Sequence, residues 1–212
     1  FVDRLLDEHP PQRLLSTVVL PALEKIDRLD RQDQASVSAL QVMSNAIHLA
    51  ANRILGRLQG GLSDAERSLR VLLYCGIGDS EALQGEIMAS LLEHDGHDVR
   101  FAGGGVPADE ILEDVGRRDP DLLLLYASSA SDGPGIRQVI DTIRDVDSRP
   151  DMQIVVAGGV FARAPGLAEE IGADLWTDDP EALRLAIVEE ADRRAIPEQR
   201  TVGRTRRVSR AA

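Results

Sequence analysis

The sequence predicts a doubly wound α/β domain with a parallel sheet, preceded by a short helical domain. Three observations carry that expectation. Short, continuously apolar runs alternate with amphipathic stretches from residue 70 onward, the runs end in glycine or hydroxyl residues, and the hydrophobic period before residue 60 is helical throughout. Apolar strands without polar alternation belong to sheets covered on both faces.

The helical part comes first. Leu14, Leu15, Val18, Val19, Leu23, Ile26 and Leu29 recur at helical spacing, as do Leu40, Val42, Met43, Ile47, Leu49, Ile54, Leu55 and Leu58. Pro10 and Pro11 punctuate the start, and Pro21 is expected to kink or restart a helix. Gly60 and Gly61 end this region, with Ser63 as a cap before the connector. Three or four helices over residues 1–62 result.

The α/β domain is expected over residues 70–195. Its strands are Val71–Cys75, Val99–Phe101, Leu122–Tyr126, Gln153–Val156 and Ala173–Trp176. Helices follow around Leu83–Leu92, Ile111–Val115, Ile136–Ile143, Pro165–Ile171 and from Pro180. Five strands with interleaved helices suit the flavodoxin-like order 2-1-3-4-5, with the helical domain stacked over the carboxyl ends of the strands. Residues 196–212 differ: Arg200, Arg204, Arg206, Arg207 and Arg210 lack an apolar period. They read as a solvated disordered tail, with a nucleic-acid or interdomain contact as the alternative.

Composition narrows the function classes. The chain has 212 residues and a formal net charge of −12, which argues against nucleic acid as the partner of the folded body. One cysteine, Cys75, rules out an internal disulfide framework or a cysteine-rich metal site and fits a reducing, cytoplasmic setting. No apolar run reaches the roughly 20 residues of a membrane span.

In an open parallel sheet, ligands bind outside the carboxyl ends of the strands, at the switch point. Those ends read Gly76-Ile77-Gly78-Asp79-Ser80-Glu81, Gly103-Gly104-Gly105-Val106-Pro107, Ser128-Ser129-Ala130-Ser131, Gly158-Gly159-Val160 and Trp176-Thr177-Asp178. Glycine admits a bulky ligand to the backbone, and hydroxyls with free amides hold polar groups. Loops of this composition also occur in such folds without a ligand. A dinucleotide fingerprint fails because Glu81 stands where its third glycine belongs. A phospho-acceptor domain fails because Tyr126-Ala127-Ser128 and Leu175-Trp176-Thr177 replace the needed Asp and Lys, and no P-loop occurs.

Five fragments in order resemble the cobalamin-binding domain family. They are Gly78-Asp79-Ser80-Glu81, Ala102-Gly103-Gly104-Gly105-Val106-Pro107, Ser128-Ser129-Ala130, Ala157-Gly158-Gly159 and Gly172-Ala173-Asp174-Leu175-Trp176. Val19-Leu20-Pro21-Ala22-Leu23 is similar to the helical cap that precedes this domain in corrinoid proteins and light-sensing regulators. The resemblance implies a cofactor contacted by Asp79, Ser80, Glu81, Gly103, Gly104, Ser128, Ser129, Gly158, Gly159 and Trp176. The family motif G-D-x-H-x-x-G supplies a histidine to cobalt; this chain has Glu81 there and Gln84 at the motif's glycine, and carboxylate is a poor substitute for imidazole on this metal. The light-sensing members' Glu-His pair falls near Ser44-Asn45. His94 and His97 belong at the amino ends of the strands, His9 lies near the start, and His48, on the apolar cap helix, could face the pocket but reads first as a core or surface histidine.

No spacing suggests a nucleophile–base pair, so no catalytic residue and no metal ligand is expected. The expected function is a sensory or regulatory ligand-binding module that is not an enzyme. It would take cobalamin in a histidine-free mode, another tetrapyrrole, or no ligand, as a homo-oligomer or inside a larger polypeptide. The alternatives are a corrinoid shuttle subunit of a methyltransferase and a ligand-free interaction domain. A valine at Gly104 or Gly158 is expected to block ligand entry and to leave folding nearly intact where φ is negative.

Overall fold

A computed structural model describes residues 1–58, 68–146, 149–177 and 179–196. The connector glycines Gly60 and Gly61, the cap Ser63, Asp178 and the basic tail lie outside the described residues.

The first segment folds as α1 (Val2–Glu8), α2 (Pro11–Leu14), a π turn (Leu15–Val19), α3 (Leu20–Arg31) and α4 (Val37–Leu55). Pro21 sits in the first turn of α3, immediately after the π turn. Proline has no N–H and its ring collides with the carbonyl four residues back, so the wider π turn absorbs it and the chain continues nearly unbroken. Ser36 caps α4, its Oγ accepting from the Ala39 N–H at 3.3 Å.

The second segment contains β1 (Arg70–Cys75), α5 (Asp79–His94), β2 (Asp98–Gly104), α6 (Ala108–Arg118), β3 (Leu122–Tyr126), α7 (Gly133–Val146), β4 (Gln153–Ala157), α8 (Gly159–Arg163), α9 (Leu167–Ile171), β5 (Leu175–Thr177) and α10 (Pro180–Glu189). The strands form one parallel sheet in the order β2-β1-β3-β4-β5, as the sequence pattern predicts. One face packs Leu72, Leu123, Leu125, Ile154 and Val156 under α6, α7, α8 and α9. The other packs Leu73, Leu124, Val155 and Leu175 under α5 and α10.

The helix predicted over Pro165–Ile171 is present as α9, and a further short helix, α8, precedes it. Val160 and Phe161 are buried, so α8 begins directly at Gly159 and turns the apolar residues inward before the chain breaks at Gly166, where φ is 87°.

Helix α5 joins the two segments because it is apolar on two sides. Leu83, Ile87 and Leu91, four residues apart, pack with Leu15, Leu20, Leu23 and Ile54 of the helical segment. Met88, Ala89 and Leu92 pack on the sheet. At about 0.8 kcal/mol per buried methylene, this double burial anchors the helical segment firmly against α5.

The placement of that segment corrects one expectation. Helix α3 lies over the ends of β3 and β4, where its Pro21 and Glu24 line a crevice with Tyr126, Ala157 and Gly158. It does not reach the end of β2: Gly104 and Gly105 are exposed, and a Cβ on Gly103 would meet nothing within 4 Å. The apolar stripe of α5 sets this position, drawing the helices to one side of the sheet edge.

Candidate ligand site at the carboxyl ends of the strands

Glu81 is the centre of the covered side. It occupies the N3 position of α5, where a carboxylate meets the positive end of the helix. The family resemblance makes it a cofactor contact, yet it is buried and bound to its own chain. Its Oε1 accepts from the N–H groups of Ser128 and Ser129, the latter at 3.0 Å, and its Oε2 accepts from the Gly78 N–H at 3.1 Å. One side chain thus satisfies backbone donors from the first and third loops. Each such donor left bare and buried costs about 1–3 kcal/mol.

Asp132 stands beside Glu81, and a Cβ on Gly76 would strike both carboxyls, so a larger residue there would push them aside. Burial, and then the neighbouring Glu81 charge, push Asp132 up to about 6. Among the described residues neither carboxyl forms a salt bridge.

Gln84 is fully buried one turn further along α5. Its Oε1 accepts from the Tyr126 hydroxyl at 2.6 Å, and its Nε2 donates to Ser80 Oγ at 3.0 Å and to Asp27 of α3 at 3.2 Å. Every polar atom of the amide is used. Burial raises the Tyr126 hydroxyl far above its ordinary range, so it remains a donor. Burial likewise raises Asp27. What remains of the crevice between α3, α5, α10 and the strand ends is about 60 Å³.

The uncovered side is different. A cleft of about 710 Å³ separates α4 from α5 and β2. Its helical wall carries Gln41, Ser44, Asn45, His48 and Asn52, and its α/β wall carries Asp79, Ser80, Glu86 and Phe101. The polar positions 41, 45, 48 and 52 share one helical face, the signal that could have marked this wall from sequence. His48 is therefore a cleft residue and not one of the core.

The predicted site residues are thus divided. Glu81, Ser128, Ser129, Gly158 and Gly159 gather beneath α3; Arg163 of α8 donates to the Ser128 carbonyl there. Asp79 and Ser80 face the open cleft. Gly103 and Gly104 stand at the uncovered end of β2, apart from the serines. Trp176 points to the opposite face of the sheet, where its Nε1 donates to Glu169 of α9 at 2.8 Å, so it leaves the site. The expectation for valine also changes. Gly158 has φ 105°, its Cβ would overlap the Ala127 carbonyl, and a Cβ on Gly104 would overlap the Gly76 carbonyl, so either substitution breaks the backbone itself.

Other polar residues prove structural. Asp174 is buried and holds Arg144 at 2.5 Å, the Ile154 N–H at 2.6 Å and the Ala195 N–H at 2.7 Å. Burial pushes Cys75 up to about 12, so its thiol is unreactive. His97 is buried at the amino ends of the strands, as expected, and burial lowers its basicity. Among the described residues no cluster of three metal-binding side chains occurs, and no helix is long and apolar enough to cross a membrane.

The model of the B12 binding domain matches residues 70–184, spanning β1 to the first half of α10. The chain belongs to the B12 binding domain family. This B12 binding domain protein is 21% identical over 179 residues to dimethylamine corrinoid protein 3 of Methanosarcina acetivorans, covering 84% of this chain and 82% of that one. Its fold is that of the monomethylamine corrinoid protein of Methanosarcina barkeri, at a TM-score of 0.70 and 15% identity over 89% of this chain and 87% of that one. It is also similar to the methanol:cobalamin methyltransferase complex of the same organism, at a TM-score of 0.53 and 17% identity over 90% of this chain and 71% of that one. Cobalamin is therefore the candidate cofactor of this B12 binding domain protein.

The residues present do not fit a cobalamin ligated through the first loop. Glu81 offers oxygen where cobalt favours nitrogen, and its carboxylate is committed to three backbone N–H groups. The open cleft, by contrast, offers a volume in the usual range for ligand sites, about 300–1,000 Å³, with amides, hydroxyls and one imidazole on its walls.

Proposed function

We propose that this chain is a corrinoid-binding module that holds its ligand between the helical segment, residues 1–62, and the α/β domain, residues 70–195. It serves a separate partner protein and carries out no reaction alone. The observation that carries this reading is the 710 Å³ cleft, lined from α4 by Asn45, His48 and Asn52 and from the first loop by Asp79 and Ser80. Amide and hydroxyl side chains at helical spacing match a planar ligand fringed with amides. The partner is a methyltransferase, as the similarity to the methanol:cobalamin methyltransferase complex suggests. A sensory module within a larger polypeptide is the second reading, favoured by glutamate at position 81 in place of a loop histidine.

Titration with aquocobalamin, followed by visible spectroscopy and by melting temperature, tests the first reading. Saturable binding with one corrinoid per chain and a raised melting temperature is expected. Asn45→Trp, which fills the cleft from an exposed position, should abolish it. Absence of binding, or binding indifferent to Asn45→Trp in a folded variant, overturns the assignment of the ligand to this cleft.

A further inference from the structure

Beneath the ends of β3 and β4 the chain fills its own crevice. The Glu81 carboxylate spans the first and third loops, Gln84 is fully buried behind it, and the Tyr126 hydroxyl closes on Gln84 at 2.6 Å. Met88, Leu183 and the lid residues Leu20 and Pro21 reduce the remaining space to about 60 Å³. We infer that Glu81, Gln84 and Tyr126 determine which corrinoid the chain accepts: one whose own base stays on cobalt, or one lacking a base, but never one whose base is displaced and buried below the strand ends.

This inference rests on corrinoids being the ligand class proposed above, and it follows from occupancy. The Gln84 amide and the Tyr126 ring fill the space between α5 and the sheet below the strand ends, so a base entering there would have to displace them. Moving Gln84 aside would break its hydrogen bonds to Tyr126, Ser80 and Asp27 together, and with them a link between α3 and α5. Turning Glu81 outward toward a metal would leave the N–H groups of Gly78, Ser128 and Ser129 without their acceptor. The same side chains that exclude the tail therefore hold the loops in place without a cofactor.

The test restores what the trio removes. Wild type, Gln84→Gly and the double variant Glu81→His/Gln84→Gly, all grown with ¹⁵N-histidine, are mixed with cob(II)alamin and with cob(II)inamide, which lacks the base. Electron paramagnetic resonance then reports which nitrogen sits on cobalt, and melting temperature reports folding. Wild type should keep the cofactor's own ¹⁴N coupling and bind cobinamide within about threefold of cobalamin. The double variant should lose that coupling and gain one from ¹⁵N, the new Co–N(imidazole) bond forming as the bond to the base breaks. Gln84→Gly alone should let the base leave, water taking its place on cobalt, without ¹⁵N coupling, which keeps the inference testable if the double variant does not fold. A ¹⁵N coupling or a displaced base in wild type overturns it, as does a folded double variant that behaves like wild type. If wild type binds no corrinoid while the double variant does, the exclusion stands and the proposed ligand class for the natural chain falls. If none of the three binds, both fall.

Discussion

The two halves of the strand edge share one sheet and yet are built oppositely. On the β3–β4 side, α3 covers the strand ends, a buried glutamate takes three backbone donors, and side chains leave about 60 Å³ between α3, α5 and α10. On the β1–β2 side Gly104 and Gly105 are exposed and a 710 Å³ cleft opens toward α4. The difference lies in which groups are already satisfied. Backbone donors that meet a carboxylate from their own chain have no need of a ligand, whereas amides and hydroxyls on facing walls remain available for one. On the proposed function, ligand chemistry falls to the open half, and the closed half sets its limits.

The largest effect that would break this comparison is at Gly158. Valine there should cost about 4 kcal/mol or more, because it combines a positive φ with overlap on the Ala127 carbonyl, and should yield little folded protein. A stable, soluble Gly158→Val variant measured by thermal melting would show that the closed half is looser than described. Next comes Glu81→Ala, which strands three backbone donors and should lower stability by roughly 3 kcal/mol in denaturant titration. Loss below 1 kcal/mol would mean that water replaces the carboxylate freely and that the covered half is wet. Tyr126→Phe deletes only the hydroxyl donor to Gln84 and should cost about 1 kcal/mol, visible as a small shift in denaturation midpoint.

The smallest effect sharpens the comparison through pH. Asp132 has its folded pKa raised to about 6 from an ordinary value near 4, so between those values the folded state binds more protons than the unfolded one. Its contribution favours folding at low pH and is lost as pH rises through about 6. Asp132→Asn should thus gain stability above pH 6, about 1 kcal/mol after allowance for solvent screening, and gain nothing near pH 4. At roughly 2–4 °C per kcal/mol, melting curves at pH 4.5 and 7.5 resolve this. An equal shift at both values would detach Asp132 from the Glu81 charge.

By itself the sequence determined the sheet and its order. Unbroken apolar runs such as Leu122–Tyr126 can only be buried on both faces, and helices of matching length between them force parallel strands. It also determined that no loop histidine is available, since that follows from Glu81 and Gln84 alone. The site itself was legible only in part. Glu81 read as a cofactor contact because nothing in the sequence says that the Ser128 and Ser129 amides would face it across 47 and 48 residues. Trp176 read as a contact residue because a strand of three residues, Leu175–Thr177, leaves its facing ambiguous by one position. Tertiary structure decided where the helical segment sits, since Leu83, Ile87 and Leu91 of α5 drew it to one side of the strand edge. That choice closed one half of the edge and left His48 facing the other, for a physical reason: apolar burial is non-directional along the chain, and only the assembled surface of α5 could give it a direction.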